Sequence, residues 1–464
     1  MKKNSDDSLL QRGLEQRHIT LMSLGAAIGV GLFLGSSSAI KLAGPGILLS
    51  YTVGGIIIYL IMRALGEMAV KNPVAGSFSR YARETISPLA GFITGWNYWF
   101  LWIATCMAEI TAVGIYMQFW YPGTPEWVWA LAALILMTLI NFLAVKAYGE
   151  LEFWFSLIKI ITIILMIVIG LGMIIFGIGN GGHALGFSNL YKNGGFFPHG
   201  LKGVLLSFQM VMFAYLGVEM LGVTAGEVKN PKKAIRKAID TVFWRILIFY
   251  VFSLTVIMSI YPWDEITARN SPFVLTFEKI GIPGAAGIIQ FVVLTAALSS
   301  CNSGIFSTGR MLFNLAQQGE SPKGFKRTNK GGVPGLAVIV SSAVLLIGVY
   351  LNYILSKHVF SYVTSIATFG AIWTWGTILV TQMVSRHRMS SEEKKMLQYK
   401  MPFYPYSSYI SLAFLLLVTI LLGFSKDTRI ALIIGPLWIG LLVVIYYAAG
   451  LKNRSHQAAA AVEK

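Results

Sequence analysis

Long apolar runs separated by short polar segments dominate the chain. Twelve lie near residues 19–40, 46–66, 89–118, 127–146, 153–177, 203–223, 240–261, 284–316, 333–352, 359–382, 406–425 and 429–450. Most reach the roughly 20 apolar residues that a helix needs to cross hydrocarbon. The pattern predicts an all-α polytopic membrane protein with twelve transmembrane helices. Between them, residues 66–81 combine turn residues with amphipathic character and predict a short interfacial helix. Residues 178–202 are glycine-rich and predict an irregular cap.

Two runs depart from plain apolar spans. The first contains Gly25-Ala-Ala-Ile-Gly29-Val-Gly31-Leu-Phe33-Leu-Gly35, four glycines in eleven residues. Gly31 and Gly35 have the spacing of close helix packing. Glycines clustered at mid-depth equally fit a helix that breaks so that its backbone can line a solute cavity. The sixth run contains Phe213-Ala-Tyr-Leu-Gly217-Val-Glu219, an aromatic lead followed by a glycine and a carboxylate. An ionisable residue at membrane depth is a functional candidate because exposing it to lipid is costly. Its structural alternative is a tie to backbone or to a neighbouring helix.

Each interrupted run opens a block of five spans. Five plus five spans of opposite orientation, followed by two more, describe an inverted repeat with discontinuous helices 1 and 6. That divides the chain into a tail (1–18), a transport core (19–382), a helix pair (383–450) and a second tail (451–464). In such a frame the half-helix starting near Gly29 to Gly31 presents N–H groups to an anion. The half-helix ending near Phe213 to Tyr215 presents carbonyls to a cation. A cavity that sees both ends suits a zwitterion.

Charge sharpens the topology. The chain carries 37 Lys+Arg against 20 Asp+Glu, a formal +17, although only 12% of its 464 residues are charged. With the N-terminus inside, 25 of those basic residues fall in inner segments, 8 in outer ones and four within spans. That asymmetry places both termini in the cytoplasm. The excess charge then marks topology and contact with anionic membrane lipids, and nucleic-acid binding has no support. A mean hydropathy of +0.66 agrees with a membrane protein. No cleavable signal peptide is expected ahead of Ile19. Cys106 and Cys301 are too few for a disulfide framework, and the six histidines show no metal-ligand spacing, so no metal or other cofactor is expected. No catalytic constellation is visible, and an enzyme is not expected.

Several motifs in order carry a family resemblance. They are the glycine-rich stretch above, Ala43-Gly-Pro45, Arg63-Ala-Leu-Gly-Glu-Met68, Gly149-Glu-Leu-Glu-Phe-Trp-Phe155 with Lys159, Phe213 through Glu219, Ala225-Gly-Glu227, Asn230-Pro231 and Ser271-Pro-Phe-Val274. Over roughly residues 13–451 the chain resembles the amino acid permeases of the amino acid–polyamine–organocation superfamily. It looks closest to the bacterial proline-specific branch, beside the aromatic, histidine and 4-aminobutyrate permeases. The resemblance implies a LeuT-type fold and a proton-coupled symporter in the bacterial cytoplasmic (inner) membrane. It would import an amino acid, proline or another neutral or aromatic one, by alternating access. The first, second, sixth and seventh spans would rock against the rest. An exchanger, a permease of a neighbouring branch, and a ligand-binding nutrient sensor are the alternatives.

Substrate is expected at the backbone of Ala27, Ile28, Gly29, Val30 and Gly31, and at Phe213, Ala214, Tyr215 and Gly217. Glu109, Glu219, Ser299 and Asn302 are the expected polar contacts, with Phe369 and Trp373 shaping the pocket. Related permeases place a lysine at the position of Lys159, near the site where sodium-coupled cousins hold a cation. That makes Lys159 the expected proton carrier, with Glu109 the second candidate because relatives near the proline branch carry an acid there. Leu216 departs from the family, where glycine is frequent.

Overall fold

The computed structural model describes residues 28–452 except 75, 144, 224–230, 268–270, 280–283, 330 and 356–357. Ala27, the N-terminal tail, most of the C-terminal tail and the motif at 225–230 lie outside the described residues. Those described contain helices and turns and no strand. Nine helical runs among them are long and apolar enough to cross a membrane. Leu139, Val168, Ile288, Leu416, Leu437 and Val444 are each at least 60% exposed, giving the outer surface the apolar character that lipid requires. The chain is a polytopic membrane protein.

The first apolar run is divided into α1 (Val30–Phe33) and α2 (Gly35–Ala43), which meet at Leu34. Gly44-Pro45-Gly46 then makes a tight turn into α3 (Ile47–Lys71). Gly44 has φ +57°, and a Cβ there would sit 2.4 Å from the Pro198 ring, so only glycine fits. The short amphipathic helix is α4 (Ser77–Thr85), shifted towards the C-terminal side of the expected segment. Helix α5 (Pro88–Met117) starts where the Ser87 hydroxyl accepts the Ala90 N–H at 3.1 Å and Pro88 takes the first position.

Two apolar helices are shorter, α6 (Glu126–Asn141) and α8 (Gly200–Ala214). Between them α7 (Val145–Phe176) begins well before the expected 153, because its polar first turns remain helical. After α8 come a turn and α9 (Met220–Val223). The next rod comprises α10 (Pro231–Ile246), a π-helical stretch (Leu247–Phe252) and α11 (Ser253–Ile260). It too begins earlier than expected, since exposed Lys232, Lys233, Arg236 and Lys237 alternate with buried residues on one helix. Then follow α12 (Pro272–Lys279), α13 (Ala285–Gln317), α14 (Gly335–Leu355), α15 (Val359–Arg388), α16 (Ser391–Met396), α17 (Tyr406–Leu421) and α18 (Ile430–Ala448). The irregular 178–202 loop is held by side chains: Asn189 Nδ2 donates to Ser259 O at 2.9 Å and Trp263 Nε1 to Asn193 O at 2.9 Å.

Helices α5, α13 and α15 form the buried centre, and α18 lies outermost. Hydrocarbon gives helices no hydrophobic reason to associate, so close packing and interhelical hydrogen bonds hold them together. Asn97 Nδ2 on α5 donates to Gly370 O at 2.8 Å and to Thr374 Oγ1 at 3.1 Å on α15. On α13, Gly304 faces α5 so closely that a Cβ would lie 2.3 Å from Cys106 Sγ and 2.8 Å from the Trp102 ring. Gly304→Ala should therefore cost about 1–3 kcal/mol through overpacking, read as a lower melting midpoint in detergent. Gly376→Ala is the control. Its Cβ would meet nothing within 4 Å, and no loss is expected there.

Candidate functional site

Two interruptions of helix meet near the centre of the molecule. Helix α1 starts after Gly29, whose φ of −118° is extended and whose carbonyl accepts the Leu32 and Phe33 N–H groups at 3.1 and 3.2 Å. Gly29 has no side chain to cap α1, and the N–H groups of Val30 and Gly31 open its first turn. Helix α8 ends at Ala214, and residues 215–219 form turns in which Gly217 takes φ +98°. The two interruptions touch. A Cβ on Gly31 would lie 2.5 Å from Ala214 Cα, a backbone contact that only glycine permits.

The expected carbonyl end of α8 is largely occupied by the chain's own donors. Met212 O accepts the Tyr215 N–H at 3.2 Å, and Phe213 O accepts the Leu216 N–H at 3.1 Å. Ala214 O accepts from the Tyr250 hydroxyl at 3.0 Å. Tyr250 reaches it from the π-helical stretch, a local widening that frequently accompanies functional sites. Each carbonyl keeps a second lone pair for another donor.

Glu109, on α5, faces the start of α1. A Cβ on Gly29 would be 2.9 Å from Glu109 Oε1 and 3.1 Å from Ser300 Oγ. The Ser300 hydroxyl and the Val30 N–H both lie within hydrogen-bonding reach of its carboxyl. The acid therefore sits where the helix dipole is positive. Lys159, on α7, is fully buried, and its Nζ donates to Ser299 Oγ at 2.8 Å. Ser299 in turn donates to Glu152 Oε1 at 2.7 Å. Asn302 Oδ1 accepts from Asn141 Nδ2 at 2.7 Å, so that side chain also ties α13 to α6.

Several other expected site residues have protein partners of their own. Glu219 Oε1 accepts the Gly217 N–H at 3.3 Å and Oε2 accepts Trp375 Nε1 at 3.4 Å, so this carboxylate ties the α8 turn to α15. Tyr215 points towards α3, donates to Tyr51 O at 2.6 Å and packs against the Tyr51 and Tyr250 rings. Phe213 is buried edge-on to Phe360. Phe369 is not brought to the interruptions. It packs on Gly435 of α18 beside Leu422 and Ala431, and with Trp373 it lines an apolar groove of about 570 Å³ between α5, α15 and α17. Thr368, one residue earlier, donates to Gln209 O at 3.4 Å on α8, and the next position on a helix necessarily turns away. Ile28 is buried beside Gly29. Ala27 lies outside the described residues.

Glu152, Trp375 and Tyr250 were not among the expected site residues. Glu152 carried a legible signal, since it precedes Lys159 by two helical turns on the same helix face. Trp375 and Tyr250 carried none, because their roles depend on which helices become neighbours.

Comparison with known proteins agrees with this frame. The model of the amino acid permease family matches residues 18–458. Over 455 residues, 98% of each chain, the protein is 69% identical to the uncharacterized amino acid permease YtnA of Bacillus subtilis (strain 168). It is 48% identical over 446 residues, 96% of each chain, to the probable threonine/serine transporter YbxG of the same organism. With amino-acid permease AapA, also of that organism, identity is 47% over 437 residues, 94% of each chain.

The contacts of Glu219 generate a direct test. Glu219→Gln places an amide donor against the Trp375 and Gly217 donors, so it should destabilise the protein by about 1–3 kcal/mol. A lower melting midpoint, unchanged in size by added amino acid, is the expected reading. A normal midpoint with lost ligand response would instead make Glu219 a substrate contact.

Proposed function

The chain belongs to the amino acid permease family, a multi-pass membrane transporter rather than an enzyme, and from that premise we propose that it imports a neutral amino acid with protons by alternating access. The observation that carries this reading is the contact between the two helix interruptions, beside buried Glu109 and Lys159. The Val30 and Gly31 N–H groups would receive the substrate carboxylate. The second lone pairs of the α8 carbonyls would receive its ammonium. Ser299 and Asn302 would line the same region from α13. Phe213, Ala214 and Gly217 would form its opposite wall.

The finer architecture belongs to the same proposal. It is a LeuT-type inverted repeat of twelve spans, with a core over 19–382, a helix pair over 383–450 and both tails in the cytoplasm. The membrane would be the bacterial inner membrane. Supporting this, the Gly44–Gly46 turn divides the Gly35–Lys71 run, and α6 and α8 lie at the fourth and sixth expected spans.

Proton coupling has an electrostatic rationale. Glu109, Glu152 and Lys159 bring two carboxyls and one amine into a single buried cluster. The cluster is neutral only when it holds one proton beyond the ion-paired state, and an uncompensated buried charge is costly. Substrate carboxylate arriving at α1 meets Glu109 there, and protonation of that acid would remove the repulsion. For the substrate, serine and threonine come first, since the relative YbxG is named a probable threonine/serine transporter. Proline is the competing candidate from the branch resemblance. Leu216, buried at the turn, takes volume and favours a small side chain over an aromatic one.

A thermal-shift panel of amino acids on purified protein tests the site. A native-state ligand at about 100 times its Kd adds about 2.7 kcal/mol. Stabilisation by serine, threonine or proline is expected; no shift by any amino acid would overturn the zwitterion site. In proteoliposomes, Lys159→Ala should lower uptake driven by an inward proton gradient about a hundredfold. Uptake of equal size with and without the gradient in the wild type would replace symport with exchange.

A further inference from the structure

Beyond the coupling residues themselves, a proton needs a way out. We propose that Glu152 is the relay through which the coupling proton leaves Lys159 towards the cytoplasm, with Ser299 and Ser303 as its two hydroxyl links. The proposal rests on the proton-coupled reading above and would have no object without it.

The geometry is a line of buried side chains in two hydrogen-bonded legs that meet at Glu152 and Ser303. Lys159 Nζ donates to Ser299 Oγ at 2.8 Å, and Ser299 Oγ donates to Glu152 Oε1 at 2.7 Å. Ser303 lies beside the Glu152 carboxyl, one helical turn after Ser299 on α13. Tyr148 donates to Ser303 Oγ at 3.1 Å. Its ring, stacked 4.2 Å from Phe306, lines a small cavity with Asn141 and Arg310, near the end of α7 assigned to the cytoplasm. All five members of the chain are buried. Among the described residues, the charged group facing Glu152 is Lys159 from its own helix, with Tyr148 one hydroxyl further on at Ser303, while Glu109 on α5 faces Lys159.

Hydrogen-bond chemistry sets the direction. An ammonium only donates and a carboxylate only accepts, so Ser299 must accept from Lys159 and give its own proton to Glu152. One concerted shift breaks an N–H bond on Lys159 and forms an O–H bond on Ser299 Oγ. In the same step the Ser299 O–H breaks and a new O–H forms on Glu152. A neutral amine, an intact serine and a carboxylic acid result. Tyr148 donates to Ser303 on the other side, and the second oxygen of Glu152, Oε2, is buried with no hydrogen bond, so the acid has room for the proton it would receive. The second leg requires those two hydroxyls to rotate and carry the proton to water in the cavity. Glu152 is thus a station between two half-paths, and no single alignment of hydroxyls connects Lys159 to the cavity.

The test separates coupling from transport. In proteoliposomes, Glu152→Gln should lower proton-driven accumulation about tenfold or more, while substrate counterflow without a gradient falls less than about threefold. Glu152→Asp should recover much of the accumulation, because it restores a titratable group. Tyr148→Phe keeps the stacked ring and removes the last hydroxyl, so it should slow initial proton-driven uptake and spare counterflow; it also serves if Glu152→Gln does not fold. Accumulation by Glu152→Gln close to wild type would overturn the relay, as would equal loss of accumulation and counterflow in a protein of normal melting midpoint. Absence of proton-driven accumulation in the wild type would refute the proton-coupled reading instead.

Discussion

A backbone in hydrocarbon has no water to bind, so every N–H and C=O released from a helix must find another partner inside the protein. Most of the local structure follows from meeting that requirement at the two interruptions. Where α8 stops, tightened turns take up the Met212 and Phe213 carbonyls, and Tyr250 crosses from the next rod to take Ala214 O. Glu219 folds back on the Gly217 N–H and reaches Trp375 on α15. Where α1 starts, Glu109 stands against the Val30 N–H. Tyr250, Trp375 and Glu109 come from three different helical elements, so the interruptions also knit the bundle together.

The same requirement explains the glycines. Gly31 allows α1 to rest on the end of α8 backbone to backbone, and Gly29 leaves room for a carboxyl where any side chain would stand. Closeness at this point strengthens electrostatics, because the helix ends and the charged groups around them are buried and within a few ångströms of one another. A small movement of one interruption against the other would then change the surroundings of Glu109 directly. That is the mechanical link the proposed transport cycle uses between substrate binding and proton handling.

Much of the fold was legible because apolar runs and glycine clusters are local signals. Helices α5, α13, α14, α15, α17 and α18 lie within a few residues of the expected runs. The starts of α7 and α10 were missed, since hydropathy drops the polar first turns that the backbone keeps helical. The site was legible in its parts and not in its pairing. Lys159, Glu109 and Ser299 stood out as polar residues in apolar runs, yet Phe369 was placed in the pocket and instead packs on Gly435. Helical periodicity puts a residue on a face, but which neighbour that face meets is decided by tertiary packing.

The buried acids show how far geometry can sort what sequence leaves alike. Glu67 accepts from Gln382 Nε2 at 2.9 Å and from the Met401 N–H at 2.7 Å, with Arg386 at 3.4 Å, so both oxygens are engaged and the residue fastens α3 to α15 and the segment after it. Glu219 is likewise engaged at both oxygens. Glu109 differs. Its Oε2 is buried without a hydrogen-bond partner. A carboxylate whose two oxygens both accept hydrogen bonds from neighbouring segments serves as a fastener. A buried acid with a bare oxygen has room for a proton there, and binding one costs no existing contact. On that criterion Glu67 and Glu219 belong to the framework, and Glu109 belongs to the moving parts.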